Sequence, residues 1–276
     1  MKLDLSKLSN LNQRIIAGLS GAILMVTCIC YSEWSYFALF FIICFLALRE
    51  FYGLLKSADI KPNKSYGIFT GMVIFTLLFL IEKQLLDFRY YFLLFPMLFM
   101  LFFLELFRNI EKPFVNIAFS FLGIIYVALP FGLINISAFT SGTYNFKIIL
   151  GILLILWAND VGAYIFGVLM GKNKLFPRIS PKKTWEGTIG GGLFALLTAF
   201  GLSHFFSNLD VIHWLALAVI IAVFGSYGDL VESLLKRSLS VKDSAQSIPG
   251  HGGFLDRFDG LLLAAPFIVA YLKIIA

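Results

Sequence analysis

Apolar stretches long enough to cross a lipid bilayer recur along this 276-residue chain, separated by short polar connections. Nine are predicted, at 15–31, 34–48 (continuing to Leu55), 67–81, 88–104, 114–136, 148–170, 188–206, 212–228 and 260–275. Charged residues make up only 14% of the chain and hydrophobic residues 59%, which leaves too few charges to cover a water-soluble surface. The sequence therefore predicts an all-α, polytopic integral membrane protein with about nine transmembrane helices.

The distribution of lysine and arginine predicts how these helices are oriented. Of the 22 basic residues, 18 lie in the N-terminal tail and in every second connection, and 4 lie in the remaining segments. Because cytoplasmic loops carry an excess of basic residues, the N-terminus is predicted to be cytoplasmic and the C-terminus external. We expect two regions, N-terminal transmembrane helices at 1–140 and a transmembrane catalytic region at 141–276 with its site on the cytoplasmic side.

Two of the predicted cytoplasmic connections hold most of the reactive side chains. The connection over 171–187 carries five basic residues and one acid. The connection over 228–260 is the one long polar stretch of the sequence and mixes both signs of charge with a glycine-rich run. A simple solvated loop does not need this density of opposite charges, so both connections are candidates for a binding site.

The acids of the second connection form two pairs, Asp229 with Glu232 and Asp256 with Asp259, each spaced i, i+3. On a helix each pair projects from one face, where two carboxylates repel unless a cation or proton holds them. Carboxylate oxygens suit Mg²⁺, which completes its shell with water and substrate phosphates. The pattern predicts that these four residues bind metal. Ordinary juxtamembrane charges paired with one another are the alternative.

The basic residues fit a phosphate-binding role beside such a metal. Lys182 and Lys183, together with Lys236 and Arg237, could clamp phosphates, with Arg giving bidentate contacts and Lys acting as a point charge. In isolation the same residues are typical of topology determinants or anchors for anionic lipid headgroups. A polyphosphate substrate favours the first interpretation, because metal and cations together offset its charge.

Two further features are candidates for parts of a binding site. The run from Gly250 to Gly253 allows a backbone turn whose amides face an anion, although a plain turn between helices has the same composition. Asp160 interrupts an apolar span, and an ionisable group at membrane depth commonly faces a polar cavity. A structural hydrogen bond to a neighbouring helix is the alternative for Asp160.

The stretch from Ser233 to Asp259 resembles the signature of the phosphatidate cytidylyltransferase (CDP-diacylglycerol synthase) family. That signature reads S-x-apolar-K-R, four residues, K-D, and then P/S-G-H-G-G-x-x-D-R-x-D, and this sequence follows it throughout. The segment Ser180-Pro-Lys-Lys-Thr-Trp-Glu-Gly187 and the run Asn159-Asp160-x-x-Ala-Tyr also resemble the family, and Arg49-Glu50-Phe51-Tyr52 does so more weakly.

The resemblance implies an enzyme, a nucleotidyltransferase that makes CDP-diacylglycerol and pyrophosphate from CTP and phosphatidate with Mg²⁺, in phospholipid biosynthesis. A second metal ion is left open because four carboxylates exceed what one Mg²⁺ takes. The expected location is the bacterial inner membrane, among membrane lipids. A homodimer is left open, and no nucleic-acid partner is expected. The expected catalytic residues are Asp229, Asp256, Asp259, Lys236 and Arg237; the expected substrate-binding residues are Ser180, Lys182, Lys183, Thr184, Glu186, His251, Gly252, Gly253, Arg257 and Asp160.

Two other functions fit parts of the pattern. A CTP-dependent polyprenol or lipid kinase belongs to a neighbouring class, but the full run from Lys-Asp through His-Gly-Gly to Asp-Arg-x-Asp argues against it. A membrane transporter would also use an intramembrane Asp160 and glycine-interrupted helices. The lack of an internal repeat and the cytoplasmic bias of the charges count against transport.

The spacing also suggests how the basic residues divide between the two substrates. Asp229, Glu232 and Lys236 lie at i, i+3 and i+7, so Lys236 is predicted to act on the metal side with the CTP triphosphate. The Ser180–Lys183 segment has no carboxylate pair nearby in sequence and is therefore assigned to the phosphatidate phosphate, or to the departing pyrophosphate.

The predicted orientation can be tested with reporter fusions. A reporter fused after Ala276 should lie outside the cell, and one inserted near Lys174 should lie in the cytoplasm, because the basic residues concentrate on one side. Protease protection or alkaline phosphatase activity in intact cells measures this. Finding both reporters on the same side would contradict the nine-helix topology.

Overall fold

The computed structural model describes residues 10–241, 244–245 and 252–275, with side chains from residue 18 onward. In this part the chain forms nine long helices. They are α1 (Asn10–Tyr31), α2 (Glu33–Ala58), α3 (Lys64–Glu82), α4 (Phe88–Leu106), α5 (Pro113–Ala138), α6 (Phe146–Met170), α7 (Trp185–Phe205), α8 (Val211–Ser238) and α9 (Leu255–Ile275).

This arrangement confirms the predicted all-α, polytopic membrane fold. Eight of the helices, α2 to α9, are long and apolar enough to cross a bilayer. The described apolar part of α1, Gly18–Tyr31, is shorter than a full span, so its crossing stays a prediction. The orientation of the termini stays a prediction as well.

Polar residues set the sharp turns between helices. Ser32 begins α2 with a reciprocal cap: its hydroxyl accepts the Ser35 N–H at 3.1 Å, and the Ser35 hydroxyl accepts the Ser32 N–H at 3.0 Å. This pairing satisfies two helix N–H groups that would otherwise lack acceptors, and it lets α2 start directly after α1.

The connection between α6 and α7 folds into a small antiparallel hairpin, a detail that hydropathy did not predict. Strand β1 (Lys174–Phe176) pairs with β2 (Ser180–Thr184), with Lys174 opposite Thr184 and Phe176 opposite Ser180. Thr184 then caps α7, because its hydroxyl accepts the Gly187 N–H at 3.2 Å. The hairpin therefore fixes Lys182 and Lys183 on a strand immediately before a membrane helix.

The last two helices extend beyond the apolar spans predicted within them. Span eight was predicted to end at 228 and span nine to begin at 260, whereas α8 continues to Ser238 and α9 begins at Leu255. Hydropathy detects only the apolar part of a helix, and the polar turns at both ends carry no such signal. The consequence is that all four predicted metal-binding carboxylates lie on regular helix.

A continuous core joins the N-terminal helices to the last one. The rings of Phe40 in α2, Phe131 in α5 and Phe258 in α9 meet with centroids 5.5 to 6.4 Å apart. All three side chains are buried. This aromatic contact holds the start of α9 against helices from the first half of the chain, and the functional boundary placed at residue 140 stays a prediction.

Candidate active site

A cavity of about 960 Å³ lies at one end of the helix bundle, between α6, the hairpin, the start of α7, α8 and the start of α9. Every residue that lines it belongs to the stretch 159–260. The lining includes twelve of the residues predicted from sequence: Asp160, Ser180, Lys182, Lys183, Thr184, Asp229, Glu232, Lys236, Gly252, Asp256, Arg257 and Asp259. Segments that are up to 100 residues apart thus converge on one polar space.

Three carboxylates meet at the centre of this cavity. Asp229 and Glu232 from α8 and Asp259 from α9 each offer an oxygen, and these oxygens lie within 4.8 Å of one another. A side chain at Gly228 would collide with the backbone of Asp259 and Gly260, so this glycine permits α8 and α9 to approach closely. The close approach places Asp229 beside Asp259.

Glu232 is the most buried member of this carboxylate cluster, at 1% exposure. One of its oxygens accepts from the Lys236 ammonium at 2.7 Å. The other, Oε1, is buried and has no hydrogen-bond partner among the residues that the structure describes. A buried carboxylate oxygen without a donor is costly, and a cation at this point would satisfy it. The donor set, three carboxylates and no nitrogen or sulfur, fits Mg²⁺.

Lys183 reaches the cluster from the hairpin. Its ammonium lies 2.8 Å from Asp229 Oδ2 and donates to the Ser226 carbonyl oxygen at 2.9 Å. Ser226 follows a π-helical turn in α8, Ile221–Gly225, a type of irregularity that is frequent at functional sites. The folded chain therefore does bring a carboxylate pair close to the Ser180–Lys183 segment, because the hairpin folds back onto α8, while the substrate phosphate that Lys183 binds stays a prediction.

Asp256 is held differently from Asp259, although the two were predicted to act as a pair. Its Oδ1 accepts from Lys236 at 2.7 Å, and its Oδ2 accepts from the Ser244 hydroxyl at 2.8 Å and the Gly253 N–H at 2.9 Å. Both oxygens are therefore already engaged, and Asp256 lies outside the three-carboxylate cluster. In this structure Asp256 positions Lys236 and links Ser244 to Gly253, while a metal-binding role for it stays a prediction.

Lys236 is the second cation of the cavity. It bridges Glu232 and Asp256, and thereby ties α8 to α9. Its side chain is only 12% exposed, so its charge acts in a poorly solvated environment where electrostatic interactions are strong.

Some residues predicted for the site lie elsewhere. Arg237 is exposed, donates to the Val241 carbonyl oxygen at 3.5 Å and does not line the cavity, because consecutive helix residues point in different directions. Glu186 accepts from the Asn173 backbone and side chain and thereby ties the hairpin base to α7. Gly253 packs against Ser244 and Glu50. His251 lies outside the described residues.

Asp160 lines the cavity from α6, as a polar group at this depth was predicted to do. Its neighbour Asn159 is buried, and the Asn159 amide lies 3.5 Å from the Ser226 hydroxyl on α8. The Asn159–Asp160 pair therefore serves both predicted alternatives, since one residue bonds to a neighbouring helix and the other faces the polar space.

Glu50 is the residue that sequence reasoning missed, beyond a weak resemblance of the segment around it. It lies on α2 and is 8% exposed. Its Oε2 accepts the Leu255 N–H, the first of α9, at 2.9 Å. A carboxylate at a helix N-terminus satisfies an unpaired N–H and complements the helix dipole. Glu50 therefore fixes the turn that carries Asp256 and Asp259, although it does not line the cavity itself.

Comparison with known sequences yields consistent matches. Residues 12–275 match the sequence profile described as the cytidylyltransferase family. A relative from Staphylococcus haemolyticus, named phosphatidate cytidylyltransferase, is 35% identical over 232 residues, which cover 83% of this chain and 86% of the relative. Relatives of the same name from Staphylococcus epidermidis and Staphylococcus aureus are 43% and 41% identical over shorter alignments, which cover 56% of this chain and 58% of each relative.

The role of Glu50 predicts a local loss of stability on substitution. Glu50→Leu should leave the buried Leu255 N–H without an acceptor and lower the free energy of unfolding by about 1–3 kcal/mol. Hydrogen exchange should accelerate in the first turn of α9 and not in its last turns. Glu50→Gln keeps an oxygen acceptor for the Leu255 N–H and should therefore lower the free energy of unfolding by less than Glu50→Leu does.

Glu111→Leu is the matched control, because Glu111 is exposed and a surface change of this kind stays within about 0.5 kcal/mol. Equal exchange of the first turn of α9 in wild type and Glu50→Leu would contradict the role of Glu50.

Proposed function

Because the chain belongs to the cytidylyltransferase family, we propose that it transfers the cytidylyl group of CTP to phosphatidate, forming CDP-diacylglycerol and pyrophosphate. The observation that carries the proposal is the convergence of three carboxylates and two lysines in one cavity at the end of membrane-spanning helices. The names of the relatives support the same reaction.

The chemistry requires positioning and charge compensation more than proton transfer. An oxygen of the phosphatidate phosphate attacks the α-phosphorus of CTP, and the bond between the α-phosphorus and the bridging oxygen to the β-phosphate breaks as pyrophosphate leaves. The attacking oxygen belongs to a phosphate monoester that is already anionic at neutral pH, so no strong general base is needed. Catalysis can then rest on orientation and on stabilising the charge of the transferring and departing phosphates.

The carboxylate cluster supplies the place for a divalent cation. Asp229, Glu232 and Asp259 would hold Mg²⁺, which supplies Lewis-acid stabilisation of the phosphates when bound. The partnerless Glu232 Oε1 supports this assignment.

The lysines would share the phosphate charge with the cation. Lys183 and Lys236 both contact cluster carboxylates, from β2 and from α8 respectively. We therefore propose one shared polyphosphate pocket, in place of the separate CTP and phosphatidate lysines suggested by the spacing. Lys182 and Arg257 line the same cavity and would contact outer phosphates.

The proposed location is the bacterial inner membrane with the cavity open to the cytoplasm. Eight apolar helices and bacterial relatives support a membrane enzyme. The basic hairpin and the α8–α9 connection both lie among the segments that carry the excess of lysine and arginine. CTP would then arrive from the cytoplasm and phosphatidate from the bilayer.

The direct test gives the purified protein Mg²⁺, phosphatidate and CTP labelled at the α-phosphate. Label appearing in a CDP-lipid, with pyrophosphate released in equal amount, is the expected result. Label appearing as CDP together with a newly phosphorylated lipid would identify a lipid kinase and overturn the proposal.

The carboxylate cluster predicts that removal of a single carboxylate charge lowers turnover strongly. Asp259→Asn keeps the size of the side chain and removes its charge, and loss of one strong electrostatic contributor should lower turnover about 10²–10³-fold. Initial rates across a Mg²⁺ titration measure this.

Asp210→Asn is the matched control, because Asp210 lies exposed at the opposite end of α8 and makes no side-chain cap. Near wild-type turnover of Asp259→Asn at limiting Mg²⁺ would contradict the proposal that Asp259 binds the metal.

A further inference from the structure

A second, apolar groove of about 300 Å³ lies beside the polar cavity, between the first turns of α7 and the middle of α8. Its walls are Leu175, Trp185, Ile189, Val223, Tyr227 and Leu230. No carboxylate, lysine, arginine or histidine is among the described residues that line it, so it offers no charged group to the cavity chemistry described above.

The groove adjoins the polar cavity. Thr188 and Ser226 line both spaces, so each forms part of the boundary between them. The Ser226 carbonyl oxygen accepts from Lys183, which places a phosphate-binding cation directly across this boundary from the groove. A molecule with an anionic head and an apolar body could occupy both spaces at once.

The other side of the groove faces outward from membrane-spanning helices. Ile189 is 62% exposed and Val223 44% exposed, and both belong to helices that are long and apolar enough to span the bilayer. Trp185 and Tyr227, also partly exposed, flank the groove near the hairpin, and such aromatic side chains favour the membrane–water interface. The groove therefore opens toward lipid at the level where headgroup and acyl chains meet.

We infer that this groove holds one acyl chain of the phosphatidate substrate, over the part of the chain nearest the glycerol. This inference rests on the proposed function. A helix, about 10–12 Å across with its side chains, would not fit in this volume, whereas an extended acyl chain is narrow and carries no groups that need hydrogen bonds. Contact with Ile189 and Val223 would orient the phosphate toward Lys183.

Narrowing the groove tests the inference. Val223→Trp should raise the KM for dioleoyl phosphatidate about tenfold by displacing a few chain methylenes, and should leave the KM for CTP within about twofold. With dibutyryl phosphatidate, whose chains bury far fewer methylenes, the increase in KM should be much smaller. Ile189→Trp narrows the groove from the opposite helix and should show the same pattern, which separates groove blockage from damage to α8.

Val115→Trp is the matched control, because Val115 on α5 is 40% exposed and lines neither space. It should leave the KM for every substrate near the wild-type value.

The possible outcomes distinguish a failure of the groove assignment from a failure of the proposed function. If the wild type makes CDP-diacylglycerol but both tryptophan variants keep the wild-type KM for dioleoyl phosphatidate, the groove is not the chain site and the proposed function stands. An equal rise in the KM for dioleoyl and dibutyryl phosphatidate would also overturn the assignment of the groove to an acyl chain. A comparable rise in the KM for CTP would do the same. A wild type that forms no CDP-lipid from any phosphatidate would contradict the proposed function, and the groove assignment with it.

Discussion

Three carboxylates crowded together between membrane helices repel one another unless a cation or a proton offsets their charge, and the polar half of this protein places lysine side chains against them. Asp229, Glu232 and Asp259 bring their oxygens within 4.8 Å of one another. Lys183 contacts Asp229 and Lys236 contacts Glu232, each at salt-bridge distance. One Glu232 oxygen still lacks a donor among the described residues, and this unsatisfied oxygen is the observation on which the proposed cation site rests.

Each neighbouring element is placed so that this cluster forms. The hairpin carries Lys183 across to α8, and Gly228 lets α8 touch α9. Glu50 on α2 holds the first turn of α9 from outside the cavity. Because these supports come from distant parts of the chain, the N-terminal helices contribute to the site even though none of their residues lines the cavity.

The sequence was sufficient to predict the membrane fold and most of the charged residues that line the candidate cavity, and insufficient to predict how those residues pair. Length and hydropathy are sufficient to predict membrane-spanning helices. The i, i+3 spacing correctly placed Asp229 and Glu232 on one helix. The Lys183–Asp229 contact joins residues far apart in sequence, so spacing alone could not reveal it. Spacing likewise could not show that Asp256 turns toward Lys236 and Ser244 while Asp259 turns toward the cluster. Glu50 carries no sequence signal of its partner, which is a backbone N–H on another helix.

We propose that Asp229, Glu232 and Asp259 form one divalent-cation site that binds its ion without substrate. Electron paramagnetic resonance of Mn²⁺ added to the purified protein in lipid nanodiscs measures this directly. We predict bound Mn²⁺ that Mg²⁺ displaces, with at least about tenfold weaker binding in Glu232→Gln and unchanged binding in Asp210→Asn. Equal Mn²⁺ binding in the wild type and Glu232→Gln, or no displaceable Mn²⁺ in either, would contradict it.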